Sequence, residues 1–159
     1  MKFADLSAGK RIILGPAQVD DEEIIAFAEK YDAQWFHTDP VRAAADPWNG
    51  LIASGWHTCC IAMGLLSKGI LVDSESYASP GLNYVKWPNP VRAADVLTLE
   101  VIVIESRISS TKSWLGIVRW QWVMRNQTGA TVLDLEAISL FRLPNTSIPE
   151  IGKAVPAPT

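Results

Sequence analysis

An aspartate and a histidine five residues apart are the first candidates for chemistry in this sequence. Asp32 and His37 lie in a polar segment, with Gln34 between them and Thr38 directly after. A carboxylate and an imidazole among polar neighbours suit general acid–base catalysis, because imidazole titrates close to neutral pH. The same spacing also arises by chance, when a surface histidine follows an aspartate that ends a helix. Spacing alone therefore leaves both interpretations open.

The second candidate is the start of the helix that follows. Ser54 is a residue type that caps helices, and Gly55 comes directly after it. The free backbone N–H groups in the first turn of a helix can stabilise negative charge developing on an oxygen atom. A glycine at this place lets a substrate carbonyl approach the backbone closely. An ordinary capped helix with small residues for packing explains the same pattern, so this motif alone does not establish a binding site.

Two helices are predicted to position these residues. Asp20 is a candidate N-cap, and apolar residues at helical spacing continue from it to Tyr31. Residues 32–50 are rich in Asp, Pro and Ala, which indicates an irregular segment with one helical turn at 41–45. The next helix, predicted at 54–70, is apolar on most faces, and a helix of that kind is buried.

Strands that can cover this helix are predicted along the rest of the chain. A short strand at 11–14 is expected to close at Gly15-Pro16. Four further strands show strand-like composition, with alternating apolar residues in the longer ones, and lie at about 81–87, 96–106, 115–126 and 130–141. Long antiparallel strands with one apolar face need a cover, which the buried helix supplies. We therefore predict an α+β fold in which a curved antiparallel sheet wraps around one central helix. Residues 1–143 form this single domain, and residues 144–159 form a Pro-rich tail over the surface.

Composition argues against several functional classes. The formal net charge is -3 and no basic run stands out, so binding to nucleic acid is not supported. No stretch is long and apolar enough to span a membrane, and the amino terminus has no apolar signal core. Cys59 and Cys60 are the only cysteines and are neighbours in one predicted helix, which argues against a structural disulfide and a zinc site of paired cysteines. A cytoplasmic location is expected.

The order and spacing of the two motifs resemble one family. The run YDAQWFHTDP, then a variable stretch, then GLIASGWHT, is similar to the MaoC-like family, which includes the R-specific enoyl-CoA hydratases and has the hotdog fold. The resemblance covers roughly residues 10–142. It implies that Asp32 and His37 are the catalytic pair and that the Gly55 N–H binds the thioester carbonyl. On the same resemblance, Gln34 and Ser54 are further polar contacts to the substrate.

A family member of this kind adds water reversibly to a trans-2-enoyl thioester and produces a 3-hydroxyacyl thioester. The resemblance thus implies an acyl-CoA or related acyl thioester as substrate, with coenzyme A as part of the substrate and with no metal or other cofactor. It also implies a homodimer or higher homo-oligomer, in which the sheets of two chains join and the active site lies near the junction.

Two departures from the family's hydratase motif leave alternatives open. Gln34 stands where the motif has Asn, and Trp35 stands where it has Pro, so a bulky side chain is expected to reshape the acyl entrance. Hotdog domains also include acyl-CoA thioesterases, and a non-catalytic subunit that binds acyl thioesters is a further alternative. The Asp-to-His spacing and the start of the central helix favour the hydratase. His57 is expected to be a hydrogen-bonded core or interface histidine.

Overall fold

The structure is a computed structural model that describes residues 1–144 of the chain. The predicted Pro-rich tail therefore lies outside the described residues, apart from Pro144. The described residues form one antiparallel sheet and a set of helices packed mainly on its concave face.

The helices lie where the chain leaves the sheet. They are α1 (Asp21–Tyr31), α2 (Trp35–Thr38), α3 (Pro40–Ala45) and α4 (Gly55–Leu66), and α4 continues as a π-helical turn over Ser67–Leu71. Asp20 is confirmed as a cap, because its side chain accepts a hydrogen bond from the Glu23 backbone N–H at 2.8 Å. Within residues 1–144 no helix is long and apolar enough to cross a membrane.

The segment predicted as irregular contains one more helical turn than expected. The predicted turn at 41–45 is confirmed as α3, which Asp39 caps and Pro40 begins. The preceding turn, α2, was missed, because four residues are too few to show a helical period and Gln34 makes no side-chain capping bond. This missed turn is the one that carries His37.

The strands form one sheet in the order β1-β3-β4-β5-β2. Their bounds are β1 (Arg11–Gln18), β2 (Ser76–Lys86), β3 (Val96–Ile108), β4 (Leu115–Arg125) and β5 (Thr131–Arg142). The prediction that Gly15-Pro16 closes the first strand was wrong. The strand continues to Gln18, because a shift in register between Leu14 and Ala17 places the Gly-Pro pair in a bulge.

The core lies between the concave face of the sheet and α4. Alternate residues of β3, β4 and β5 point to this face, as the sequence pattern predicts, and include Leu97, Leu99, Val101, Val103, Val118, Trp120, Met124, Leu133, Leu135 and Phe141. Ala62 and Leu66 of α4 pack against them. The predicted α+β fold, with a curved antiparallel sheet around a central helix, is confirmed.

One face of α4 differs from its prediction. The sequence indicates a helix buried on most faces, but Trp56 is 59% exposed and Met63 is 41% exposed in the single chain. This exposed face and β2, an edge strand, border an apolar groove that is lined by Leu82 and Trp122 among others.

Candidate active site

Asp32 and His37 face each other across a tight turn. Asp32 ends α1 as its C-cap, and the Gln34 N–H donates to the Asp32 backbone carbonyl at 2.7 Å. The His37 N–H then donates to the Gln34 carbonyl at 2.9 Å, which starts α2. These two backbone bonds turn the chain so that His37 Nε2 lies 3.5 Å from Asp32 Oδ2. The histidine ring is buried, whereas the Asp32 side chain is 21% exposed.

A backbone carbonyl determines which nitrogen of His37 carries the proton. Nδ1 lies 2.7 Å from the Ile52 carbonyl oxygen, which can only accept a hydrogen bond. Nδ1 therefore carries the hydrogen, and in the neutral ring Nε2 presents a lone pair towards the Asp32 carboxylate. Two acceptors 3.5 Å apart do not bond directly to each other, but one water molecule can donate a hydrogen to each.

Two side chains hold Asp32 in its ionised form. Ser54 Oγ donates to Oδ2 at 2.7 Å, and Gln34 Nε2 donates to Oδ1 at 2.7 Å. The hydrogen bond from Ser54, then that from Gln34, keeps the pKa of the Asp32 carboxyl below its ordinary value, against a smaller opposing effect of burial. Asp32 is therefore a carboxylate at neutral pH.

Ser54 connects this carboxylate to the central helix. It is the N-cap of α4, and its hydroxyl oxygen accepts a hydrogen bond from the Trp56 N–H at 3.2 Å. The positive end of the helix dipole thus lies next to the Asp32 carboxylate, which further favours the anion. Ser54 is completely buried, so solvent does not compete for its hydroxyl.

His37 and Gly55 line the same cavity, which has a volume of about 310 Å³. Its other walls are largely aromatic and proline side chains, and include Phe36, Trp48, Trp87, Pro88 and Pro90. The Gly55 N–H is the first of α4, so no acceptor exists for it within the helix, and it makes no backbone hydrogen bond among the described residues. A donor of this kind beside a histidine can polarise a carbonyl bound in the cavity.

The indole of Trp87 lies directly on Gly55. A Cβ atom at position 55 would be 2.6 Å from Trp87 Cε2, a separation that real side chains do not adopt. Trp87 also meets Trp56 edge to face, with ring centroids 5.6 Å apart. Glycine is therefore required at position 55 for packing against Trp87.

Of the predicted site residues, Gln34 and Ser54 hydrogen-bond Asp32 through their side chains, and His37 and Gly55 line one cavity. The predicted contacts of Gln34 and Ser54 with a substrate stay a prediction. Trp35 was predicted to reshape the acyl entrance, but its ring lies 4.3 Å from the Arg42 guanidinium and does not line the cavity beside His37.

Sequence reasoning missed two contributors to the site. The carbonyl of Ile52 orients His37, and every residue has a carbonyl, so no sequence signal could identify it. Trp87 lies within the residues that the family resemblance covers, but its contact with Gly55 is between residues far apart in sequence.

The second histidine forms a separate pair. His57 is buried in α4, with Nε2 lying 3.2 Å from Glu23 Oε1, and its ring stacks on Phe27 at a centroid distance of 4.6 Å. The predicted role as a hydrogen-bonded core histidine agrees with this environment. Together with the bond between Ser54 and Asp32, the pair attaches both ends of α1 to α4.

Comparison with known protein sequences shows which family this chain is similar to. Residues 7–119 match the family model described as MaoC like domain. The 3-hydroxyacyl-thioester dehydratase Z of Mycobacterium tuberculosis is 33% identical over 119 residues, which cover 72% of this chain and 72% of that protein.

Solved structures of MaoC-like dehydratases and hydratases are also similar to this chain. The MaoC-like dehydratase from Rhodospirillum rubrum has a TM-score of 0.80 at 35% identity, covering 89% of this chain and 97% of that one. The (R)-hydratase from A. caviae has a TM-score of 0.69 at 24% identity, over 87% and 98% of the two chains, and is similar in fold. These similarities confirm the predicted hotdog fold.

Proposed function

The chain belongs to the MaoC-like domain family, and we propose that it is a hydratase or dehydratase acting on acyl thioesters. The substrate we propose is a trans-2-enoyl thioester such as an enoyl-CoA, to which water is added reversibly to give the 3-hydroxyacyl thioester. The observation that carries this proposal is the arrangement of Asp32 and His37. Their acceptor atoms lie 3.5 Å apart beside a cavity that the backbone of Gly55 also lines.

In the proposed reaction, His37 and Asp32 orient one water molecule. The water oxygen forms a bond to C3 of the substrate as Nε2 of His37 accepts one of its protons. The electron pair of the double bond moves towards the thioester oxygen, and His37 then returns a proton to C2. Asp32, kept ionised by Ser54 and Gln34, stabilises the imidazolium. A positioned acid or base of this kind typically contributes about 10²–10⁴-fold to the rate.

The first turn of α4 supplies the second part of the proposed catalysis. The Gly55 N–H donates to the thioester oxygen, and the positive end of the helix dipole stabilises the charge that develops there. Losing one such donor typically costs on the order of 10²–10³-fold in rate, so both parts are needed. Hydration is redox-neutral, and we expect the reaction to need no cofactor beyond the coenzyme A carried by the substrate.

We further propose that two copies of the chain form a homodimer. β2 lies at the edge of the sheet, so its outer backbone groups have no strand partner among the described residues. The apolar groove beside it exposes Trp56 and Leu82, which are 59% and 45% accessible. A second copy that pairs through the same edge would continue the sheet and cover these side chains. Besides a second copy of itself, the chain is proposed to bind the acyl thioester substrate.

A spectrophotometric assay tests the proposed activity. The absorbance of the conjugated double bond of crotonyl-CoA falls as water is added, and we expect this with the purified protein. Asp32→Asn and His37→Ala should each lower kcat/KM by at least about 10²-fold while circular dichroism shows the native fold. Asp39→Asn is the matched control, because Asp39 lies in the same segment and caps α3, a role that asparagine also performs.

Other outcomes identify the alternatives. Release of free thiol in place of hydration would overturn the proposal in favour of a thioesterase. Binding of acyl-CoA with neither change would favour a non-catalytic subunit that binds acyl thioesters.

A further inference from the structure

The indole of Trp87 is held by two contacts. Its ring lies against the backbone of Gly55 and meets the ring of Trp56 edge to face, with centroids 5.6 Å apart. Trp87 follows β2 directly, and the loop after it is anchored by Asn89, whose side-chain amide donates to the Thr131 carbonyl at 2.8 Å. The side chain is therefore a fixed element of the site, although 42% of it is exposed.

Trp87 and Trp56 separate two cavities. On one side is the cavity of about 310 Å³ that contains His37 and Gly55, and Trp87 forms part of its wall. On the other side is the apolar groove of about 430 Å³ along α4, whose lining includes Trp56, Cys59 and Met63. The two rings are in contact, so Trp87 in the wall of the first cavity meets Trp56 in the wall of the second.

This partition determines where an acyl chain can go. A thioester oxygen at the Gly55 N–H, with its double bond beside His37, places the acyl chain in the smaller cavity. A volume of about 310 Å³ is at the lower end of the range for ligand sites. Further methylene groups would have to pass the contact between Trp87 and Trp56 and reach the inner part of the larger groove, whose outer side the second copy of the proposed homodimer covers.

Resting on the proposed function, we infer that Trp87, supported by Trp56, sets an upper limit to acyl-chain length and makes this protein selective for short-chain 2-enoyl thioesters. Trp87 is thus a specificity-determining residue. Replacing its indole with a smaller side chain joins the two cavities and admits a longer chain. The Gly55 backbone and the His37–Asp32 pair stay in place in such a variant, because the hydrogen bonds that hold them do not involve Trp87.

The test is binding of saturated acyl-CoAs, because binding needs no turnover. Calorimetry gives Kd for butyryl-CoA and decanoyl-CoA with the wild type and with Trp87→Leu. We expect Trp87→Leu to strengthen the binding of decanoyl-CoA relative to butyryl-CoA by about tenfold or more. The reason is that each methylene group placed in an apolar pocket changes discrimination between ligands by about tenfold or more. The ratio of kcat/KM for crotonyl-CoA and trans-2-decenoyl-CoA should shift in the same direction.

Trp114→Leu is the matched control. It makes the same substitution at a tryptophan that packs edge to face on Tyr77, away from both tryptophans of the partition, and should leave the ratio unchanged. If Trp87→Leu fails to fold, Trp56→Leu and Trp87→Phe remove part of the same barrier and should shift the ratio less, but in the same direction.

The outcomes separate this inference from the proposed function. Turnover of crotonyl-CoA with an unchanged ratio in the variants overturns the inference alone. A shifted ratio in a protein that turns over no enoyl thioester supports the limit that Trp87 sets on acyl-chain length, but overturns the proposed function. Absence of acyl-CoA binding by the folded wild type overturns both.

Discussion

Ser54 Oγ donates a hydrogen bond of 2.7 Å to Asp32 Oδ2, the same oxygen atom that lies 3.5 Å from His37 Nε2. The hydroxyl oxygen also accepts a hydrogen bond from the Trp56 N–H, so Ser54 is engaged both as a donor and as an acceptor. One buried side chain therefore both begins α4 and stabilises the charge on Asp32. The start of the helix and the ionisation of the proposed catalytic carboxylate are physically coupled.

Ser54→Ala should move the acidic limb of the activity profile to higher pH. The hydrogen bond from Ser54 is the largest cause of the lowered Asp32 pKa, so its loss raises that pKa, and the carboxylate is then protonated at a higher pH. The measurement is kcat/KM for crotonyl-CoA against pH. Ser54→Thr keeps a hydroxyl and should retain the wild-type limb. An acidic limb that does not move in Ser54→Ala would contradict this assignment.

The same substitution also predicts a change in stability. A carboxyl whose pKa is lower in the folded state stabilises the fold above its unfolded pKa, and this contribution is lost as the pH falls through the folded pKa. Ser54→Ala should therefore lose less free energy of unfolding on acidification than the wild type. At neutral pH it should be less stable by about 1 kcal/mol, since it also removes a helix N-cap. Urea unfolding at neutral and acidic pH measures both effects.

Gly55→Ala and Gly64→Ala should have opposite effects although both change a glycine of α4. A Cβ at position 55 would be 2.6 Å from the Trp87 ring, whereas one at position 64 meets nothing within 4 Å. We expect Gly55→Ala to destabilise the fold by about 1–3 kcal/mol and to lower kcat/KM. Gly64→Ala should stabilise it by roughly 0.5–1 kcal/mol, because alanine is the better helix former. Thermal unfolding of the two variants tests this. Equal stabilities would contradict the prediction, because they would show that Trp87 leaves room for a side chain at position 55.

The two histidines should differ sharply in their effect on catalysis. His57 pairs with Glu23 and stacks on Phe27, and its Nδ1 has no hydrogen-bond partner among the described residues. We expect His57→Phe to keep kcat/KM within about tenfold of the wild type, because stacking on Phe27 is preserved. His37→Ala should lose at least about 10²-fold. Steady-state kinetics on folded proteins decides the question, and a loss in His57→Phe as large as in His37→Ala would give His57 a part in catalysis.

A charge placed on β2 should separate the proposed dimer. Leu82→Arg puts a guanidinium into the apolar groove at the sheet edge, where a second copy is proposed to pack. Ile13→Arg is the control, because Ile13 is also exposed, at 64%, but lies on β1 at the opposite edge. Sedimentation velocity should show a dimer for the wild type and Ile13→Arg, and a monomer for Leu82→Arg. A monomeric wild type would contradict the proposed homodimer.

Much of the fold was accessible from local patterns. The alternation in β3, β4 and β5 follows from a sheet with one buried face, and this signal survives in any single strand. Asp20 was predictable because an N-cap acts within its own helical turn. The failures were equally local: α2 is shorter than one helical period, and the bulge at Gly15-Pro16 resembles the end of a strand.

For the site, the sequence by itself determined the kinds of group present and their order along the chain. Asp32, Gln34, His37, Ser54 and Gly55 were selected through motif spacing and a family resemblance. The tertiary structure alone decided their relationships, because each depends on contacts between distant segments. The Ile52 carbonyl orients the His37 ring, the helix cap Ser54 lowers the pKa of Asp32, and Trp87 lies on Gly55. Contacts made by backbone carbonyls and by packed aromatic rings have no signature in the amino-acid sequence. They can be identified only from the folded structure.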